Sequence, residues 1–232
     1  MGRVGQVYCA DFFAPWSFPV LDARQLSALR DDRLLFAGLD FVLAPGQVLQ
    51  VAGPNGAGKT TLLNMVAGLA ALEAGELFWK GRPVLDDAAA FRADFIWLGH
   101  QAGLKLMMTP RENLRWLSRL RAQAPAHHVL EAALDKVGLA GYEDVPLARM
   151  SAGQKRRVGL ARLFVEQCPL WILDEPFTAI DKQGVDELEG WLREHAAAGG
   201  MVLLTTHHEF AAGFPVQRLN VADFRPPAEL AP

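Results

Sequence analysis

The chain has few cysteines, no long apolar run and no marked excess of charge of one sign. Each lack removes a class of function. Two cysteines, Cys9 and Cys168, stand in 232 residues, far apart and outside any metal-ligating or redox spacing. No zinc module or disulfide framework is expected, and Cys168, just ahead of an apolar strand, is expected as a reduced core residue, in keeping with the cytosol. No stretch approaches the roughly 20 apolar residues that span a bilayer. The first 20 residues hold one basic residue, Arg3, and no clean apolar core before a small-residue cleavage site, so they do not read as a secretory signal. A role at a membrane would therefore require docking on a separate membrane subunit. The formal net charge is only −3, which supplies no field for a polyanion, and no nucleic-acid partner is expected. The local run Lys155-Arg156-Arg157 is expected as a solvated helix face.

What is present suits one sizeable domain with a small subdomain: 51% of residues are hydrophobic and 21% charged, the balance of a chain with a real core. Residues 1–19, with Phe12, Phe13, Trp16, Phe18 and no periodicity, stay unassigned as an N-terminal extension. From residue 20 the pattern is α/β. Residues 21–29 and 35–43 alternate as strands of an antiparallel layer, and Pro45-Gly46 reads as a turn. Residues 47–52 and Phe95–Leu98 are short apolar strands. Leu62, Leu63, Val66 and Leu69 recur at helical spacing, as do Leu130, Ala133, Leu134 and Val137 before the stop at Gly138. Thr109-Pro110-Arg111-Glu112 is a capping-box helix start. Residues 170–173 and Met201–Thr205 are core strands, separated by a helix with its stripe at Val185, Leu188, Leu192 and His195. Strands alternating with helices predict a parallel sheet covered on both faces. Residues 225–232, rich in proline, read as a loose tail.

The run Gly53-Pro54-Asn55-Gly56-Ala57-Gly58-Lys59-Thr60-Thr61 satisfies the phosphate-loop pattern G-x-x-x-x-G-K-[ST]. Its glycines let successive N–H groups converge on phosphate oxygens, with the positive end of the following helix behind them. Lys59 is placed to neutralise β- and γ-phosphates, and the Thr60 hydroxyl to ligate Mg²⁺. Chance alone produces the pattern in on the order of one in a hundred chains of this length; here an apolar strand precedes it and an amphipathic helix follows.

A second feature is the strand LWIL ending in Asp174-Glu175. In open α/β sheets ligands gather at the carboxyl ends of strands. Asp174 suits a Mg²⁺ ligand acting through the water shell, and Glu175 a general base that orients the attacking water.

Met150-Ser151-Ala152-Gly153-Gln154 opens a further helix shortly before that strand. By itself it is a capping box, a structural device. With the phosphate loop and the acidic strand in the same chain, however, it resembles the signature loop of the ABC ATPases, which typically reads LSGGQ. The resemblance covers most of the chain, with the motifs in family order. It implies an α/β fold: a P-loop NTPase (RecA-like) core with a mainly parallel sheet, an N-terminal antiparallel β layer and a helical signature subdomain at about 102–153, within a domain at 20–224. It also implies an ATP hydrolase using ATP and Mg²⁺. Ser151, Gly153 and Gln154 then correspond to residues that reach the γ-phosphate held by a second subunit, and Ala152 departs from the usual glycine. Gln101 matches the Q-loop glutamine, which senses metal and attacking water and couples to the membrane subunit. Asp181 matches the D-loop aspartate and His207 the switch histidine on the γ-phosphate. His208 and His100 lie beside these matches as alternatives shifted by one position. The aromatic residue that the family stacks on adenine is missing near Leu29-Arg30-Asp31, where Arg30 could stack its guanidinium plane instead.

Residues 170–181 (LWILDEPFTAID), 97–103 (WLGHQAG) and 204–207 (LTTH), with the Ser-Ala-Gly-Gln signature, are similar to the haem-exporter ATPases of the bacterial cytochrome c maturation system. That likeness implies a peripheral subunit on the cytoplasmic face of the inner membrane, paired with a second ATPase subunit as an ATP-bound homodimer and with integral membrane subunits. Its cycle would support haem export or release of a haem-loaded chaperone. Haem is not expected to touch this chain, since His127-His128 open an amphipathic helix as exposed residues. An ABC transporter ATPase for another substrate, or a soluble ABC ATPase acting on ribosomes or DNA, remain alternatives.

Overall fold

The computed structural model describes residues 21–30, 33–100 and 102–225; the unassigned 1–19, Gln101 and the end of the tail lie outside them. Strands β1 (Leu21–Arg30), β2 (Arg33–Leu43), β4 (Ala74–Trp79) and β5 (Arg82–Pro83) form an antiparallel sheet in the order β2-β1-β4-β5. Strands β3 (Val48–Ala52), β6 (Phe95–Leu98), β7 (Leu170–Asp174), β8 (Met201–Thr205) and β9 (Val216–Asn220) form a second sheet, order β6-β7-β8-β3-β9. Every pairing in it is parallel.

The parallel sheet is the wall between two cores, and the side-chain alternation of its strands feeds both. Trp171 and Leu173 of β7, with Val202 and Leu204 of β8, pack on one face. Leu170, Ile172, Met201 and Leu203 pack on the other. A strand buried on both sides needs no polar face, which is why β7 and β8 read as unbroken apolar runs. The first core is closed by helices α3 (Pro110–Leu120), α4 (His127–Lys136), α5 (Ala152–Val165) and α6 (Lys182–Ala197), through residues such as Leu114, Leu134, Leu160 and Leu188. The second is closed by α1 (Lys59–Val66) and the antiparallel sheet, through Leu62, Leu63, Leu21 and Phe36.

Helix starts obey the local chemistry. Thr109 and Ser151 each form both halves of a capping box, with Glu112 and Gln154. Four elements carry weak sequence signals: β4, β5, the seven-residue α2 (Ala88–Asp94) and the edge strand β9. In β9 only the partner strand demands pairing. Its sequence VQRLN is half-exposed and polar, and Arg218 donates to Gln50 of β3 at 3.0 Å. Cys168 is buried and unpaired, as expected. Lys155-Arg156-Arg157 is not the solvated face its composition suggests. Arg156 is buried, and Arg157 is tucked between Val137, Asp181 and Glu187.

Candidate active site

At the end of β3 the chain turns through three glycines with positive φ, Gly53 (140°), Gly56 (80°) and Gly58 (102°), before α1 begins. Gly58 carries two constraints. Its φ disfavours any side chain, and a Cβ there would lie 3.1 Å from ring carbons of Phe36. Phe36 is fully buried beneath the loop. Lys59 is nearly buried and its Nζ donates to the carbonyls of Gly53 (2.8 Å) and Pro54 (3.3 Å), spanning the loop it follows. Within the loop the Ala57 amide also donates to the Pro54 carbonyl at 3.2 Å, so the turn is held by its own backbone.

The loop meets the acidic end of β7 in space, 114 residues away in sequence: Thr60 Oγ1 donates to Asp174 Oδ1 at 3.1 Å. The same Oδ1 accepts from Thr205 Oγ1 of β8 at 2.6 Å. A hydroxyl and a carboxylate at this separation are hard oxygen donors of the kind Mg²⁺ takes, so the residues fit the ion the motif implies. Asp174 is buried behind the loop rather than lining the cleft.

Glu175, the next residue, has φ of 49°, a left-handed conformation that costs a non-glycine residue roughly 1–2 kcal/mol. Its N–H is held by Thr205, through Oγ1 at 3.0 Å and the carbonyl at 3.2 Å. The carboxylate faces His207, with Nε2 3.6 Å from Oε1. His208 points elsewhere, bonding Glu189 at 2.6 Å, so the histidine beside the acidic residue is His207. His100 also borders the cleft.

These groups line one open cleft of about 630 Å³. From the glycine loop and the start of α1, Asn55, Gly56, Gly58, Lys59, Thr60 and Thr61 line it together with Glu175, His207, Arg30, Arg33 and Leu35. Pro54 and Ala57 border an adjoining hollow with Arg225, and Gly53 lies against Asn220 and Ala222.

Two predicted groups are not brought to this cleft. Ser151, Gly153 and Gln154 sit at the start of α5, where Ser151 and Gln154 cap each other's amides at 3.1 and 2.9 Å. Asp181 caps α6 by accepting from the Gly184 N–H at 3.0 Å and pairs with Arg157 at 3.1 Å. The Gly184 amide, with the Arg157 guanidinium behind it, holds the Asp181 carboxyl below the usual carboxylate range. His127 and His128 are exposed at the start of α4, and His127 Nδ1 lies 3.2 Å from Glu131.

Sequence reasoning missed Thr205 and Arg156. A threonine closing an apolar strand carries no signal of its own. Arg156 does: it lies on the same helical stripe as the buried Gly159, Leu160 and Leu163 of α5.

A strand, a glycine loop and a helix facing an acidic strand end across one cleft define a P-loop nucleotide hydrolase. Residues 36–178, more than half of the chain, match the family model described as ABC transporter. The cytochrome c biogenesis ATP-binding export protein CcmA of Yersinia pestis bv. Antiqua (strain Nepal516) is 50% identical over 193 residues, covering 83% of this chain and 88% of the relative. The protein of that name from Vibrio cholerae serotype O1 is 48% identical over 205 residues, covering 88% and 99%. A solved structure titled "Structure of ATP binding subunit of ABC transporter" superposes with a TM-score of 0.74 at 27% identity, covering 81% of this chain and 79% of that one. The chain belongs to the ABC transporter family and, within it, to the cytochrome c biogenesis ATP-binding export proteins.

Proposed function

We propose that this chain is the ATP-hydrolysing subunit of a membrane complex that supports haem export, or release of a haem-loaded chaperone, in bacterial cytochrome c biogenesis. The ATPase part is supported by the cleft and the family, the biological role by the names of the relatives. In this reading the amides of residues 53–61 and the start of α1 cradle the phosphates, and the Lys59 ammonium offsets charge between β and γ. Thr60 and Asp174 would hold Mg²⁺, which when bound screens the phosphate oxygens. Glu175 orients a water on the γ-phosphorus and accepts its proton as the bond to the β-phosphate oxygen breaks. His207 donates to the γ-phosphate, and Arg30 lies against the base. Gln101 senses the attacking water and reports to the membrane subunits.

The observation that carries the mechanism is an incomplete site. The helix start at Ser151, Gly153 and Gln154 does not line the cleft of its own chain, although the Ala152 and Gly153 amides, which the capping box leaves open, suit an anion. Two subunits arranged head to tail would place each signature helix, with the Asp181 turn beside it, on the partner's γ-phosphate. ATP then closes the pair and hydrolysis reopens it. No helix among the described residues is long and apolar enough to cross a membrane, and the reading places the pair peripherally, on the cytoplasmic side of integral membrane subunits. With Mg-ATP, Glu175→Gln is expected to accumulate as an ATP-bound dimer by light scattering, with turnover reduced at least a hundredfold, about 3 kcal/mol in the barrier. A variant that stays monomeric with Mg-ATP, or that hydrolyses at the wild-type rate, overturns the mechanism.

A further inference from the structure

We propose that Arg156 is a positioning residue that aims Glu175 and ties the signature helix to the catalytic strand end of its own chain. The residue sits on the second turn of α5, the helix that Ser151 caps. Its guanidinium is buried and, among the described residues, every hydrogen bond it makes goes to a backbone carbonyl. Nη2 donates to the Glu175 carbonyl at 2.7 Å and lies 3.5 Å from that of Asp174; Nε donates to Pro176 at 3.2 Å. Nη1 donates to Gly99 at 3.1 Å, just beyond β6 and two residues before Gln101. One side chain therefore joins three segments: the signature helix, the turn after β7 and the segment leading to Gln101.

The consequence for Glu175 is specific. Its backbone is left-handed, and both of its backbone polar groups are held from outside, the N–H by Thr205 on β8 and the C=O by Arg156 on α5. Fixing both flanking peptides fixes φ and ψ, and with them the direction in which the carboxylate leaves the chain toward His207. A planar fork spans carbonyls on two segments; a lysine ammonium reaches one cluster only. Burial lowers the Arg156 pKa, against the attraction of Asp174 and Glu175, and a guanidinium keeps its charge through such a shift. Because α5 also presents Ser151 to the partner's nucleotide, movement of that helix on dimer closure reaches Glu175 through this bond set.

This inference rests on the ATPase reading above, and the test separates the two. In the full chain, with the membrane subunits that co-purify with it, kcat and KM for Mg-ATP are measured for wild type, Arg156→Gln and Arg156→Lys. Equilibrium nucleotide binding and Tm are recorded alongside. Expected for Arg156→Gln is a kcat at least tenfold lower, with nucleotide Kd within about threefold of wild type; Arg156→Lys should lie between. A folded Arg156→Gln with kcat within twofold of wild type overturns the proposal, as does a fall in kcat matched by an equal loss of nucleotide binding. Should Arg156→Gln fail to fold, Arg156→Lys carries the test: a threefold or greater loss of kcat at unchanged Kd supports it, and a wild-type kcat overturns it. Absence of turnover in the wild-type complex instead removes the ATPase reading.

Discussion

At the scale of single residues, half-buried His195 shows how loss of water outweighs nearby backbone contacts in setting a pKa. Its ring stacks on Trp171 with centroids 3.8 Å apart and planes 8° from parallel, and its other edge packs onto Gly200, where a side chain would collide with it. Burial lowers its pKa to about 4. The folded protein therefore refuses a proton that the unfolded chain binds below about pH 6.5. Between those values the unfolded state holds more protons, so stability falls as pH is lowered through the window and is fully present above it. The loss is at most about 3 kcal/mol. Tm recorded from pH 7 to pH 4 should fall, and His195→Gln should flatten that fall. An equally steep decline in the variant would assign the pH dependence to other groups. The sequence stripe of α6 already placed His195 with the core residues, but not the degree of desolvation that makes it a poor base.

At the scale of elements, the hairpin of β1 and β2 contributes part of the cleft lining. Arg30 and Arg33 pair at its tip, and both border the cleft with Leu35. The ring of Phe36 faces inward beneath Gly58, since alternation along β2 turns it to the opposite side from Leu35. No Phe, Tyr or Trp lines the cleft among the described residues. A guanidinium plane against a base contributes about 0.5–2 kcal/mol and favours no particular purine. Arg30→Ala should therefore weaken ATP about threefold or more in equilibrium binding, and wild type should bind ATP and GTP within about tenfold of each other. Unchanged ATP affinity in Arg30→Ala would remove the residue from the base site. The helix starts and buried strands, by contrast, needed no neighbours to be recognised. A capping box and a run of apolar residues are local facts, whereas β9 exists because β3 offers it an edge.

At the scale of the whole molecule, the parallel sheet separates a helical core from a β-layered one and brings Lys59, Glu175 and His207 to one cleft. The exposed start of α5 lies off that cleft, the observation behind the proposed head-to-tail pair. In the proposed role the substrate would be chosen in the membrane subunits, so the test belongs to the assembled complex. Affinity purification from detergent-solubilised membranes is expected to recover the chain with integral membrane proteins of a cytochrome c biogenesis complex. Recovery with ribosomes or with a different transporter would overturn the assigned role while leaving the ATPase mechanism standing.

The phosphate loop, the acidic strand end, the capped signature helix and the α/β class were all written in local order. Glycine spacing, apolar runs and capping pairs act between residues a few positions apart, and such interactions survive without the rest of the chain. Only tertiary structure decided that Thr60 and Thr205 converge on Asp174, and that the neighbour of His207, the histidine already matched in the sequence, is engaged by Glu189. It also decided that Arg156 is buried on four carbonyls rather than solvated. Those outcomes depend on which strands lie side by side and on what a buried charge finds there. Adjacency of strands and desolvation of a side chain are set by the packing of the entire fold.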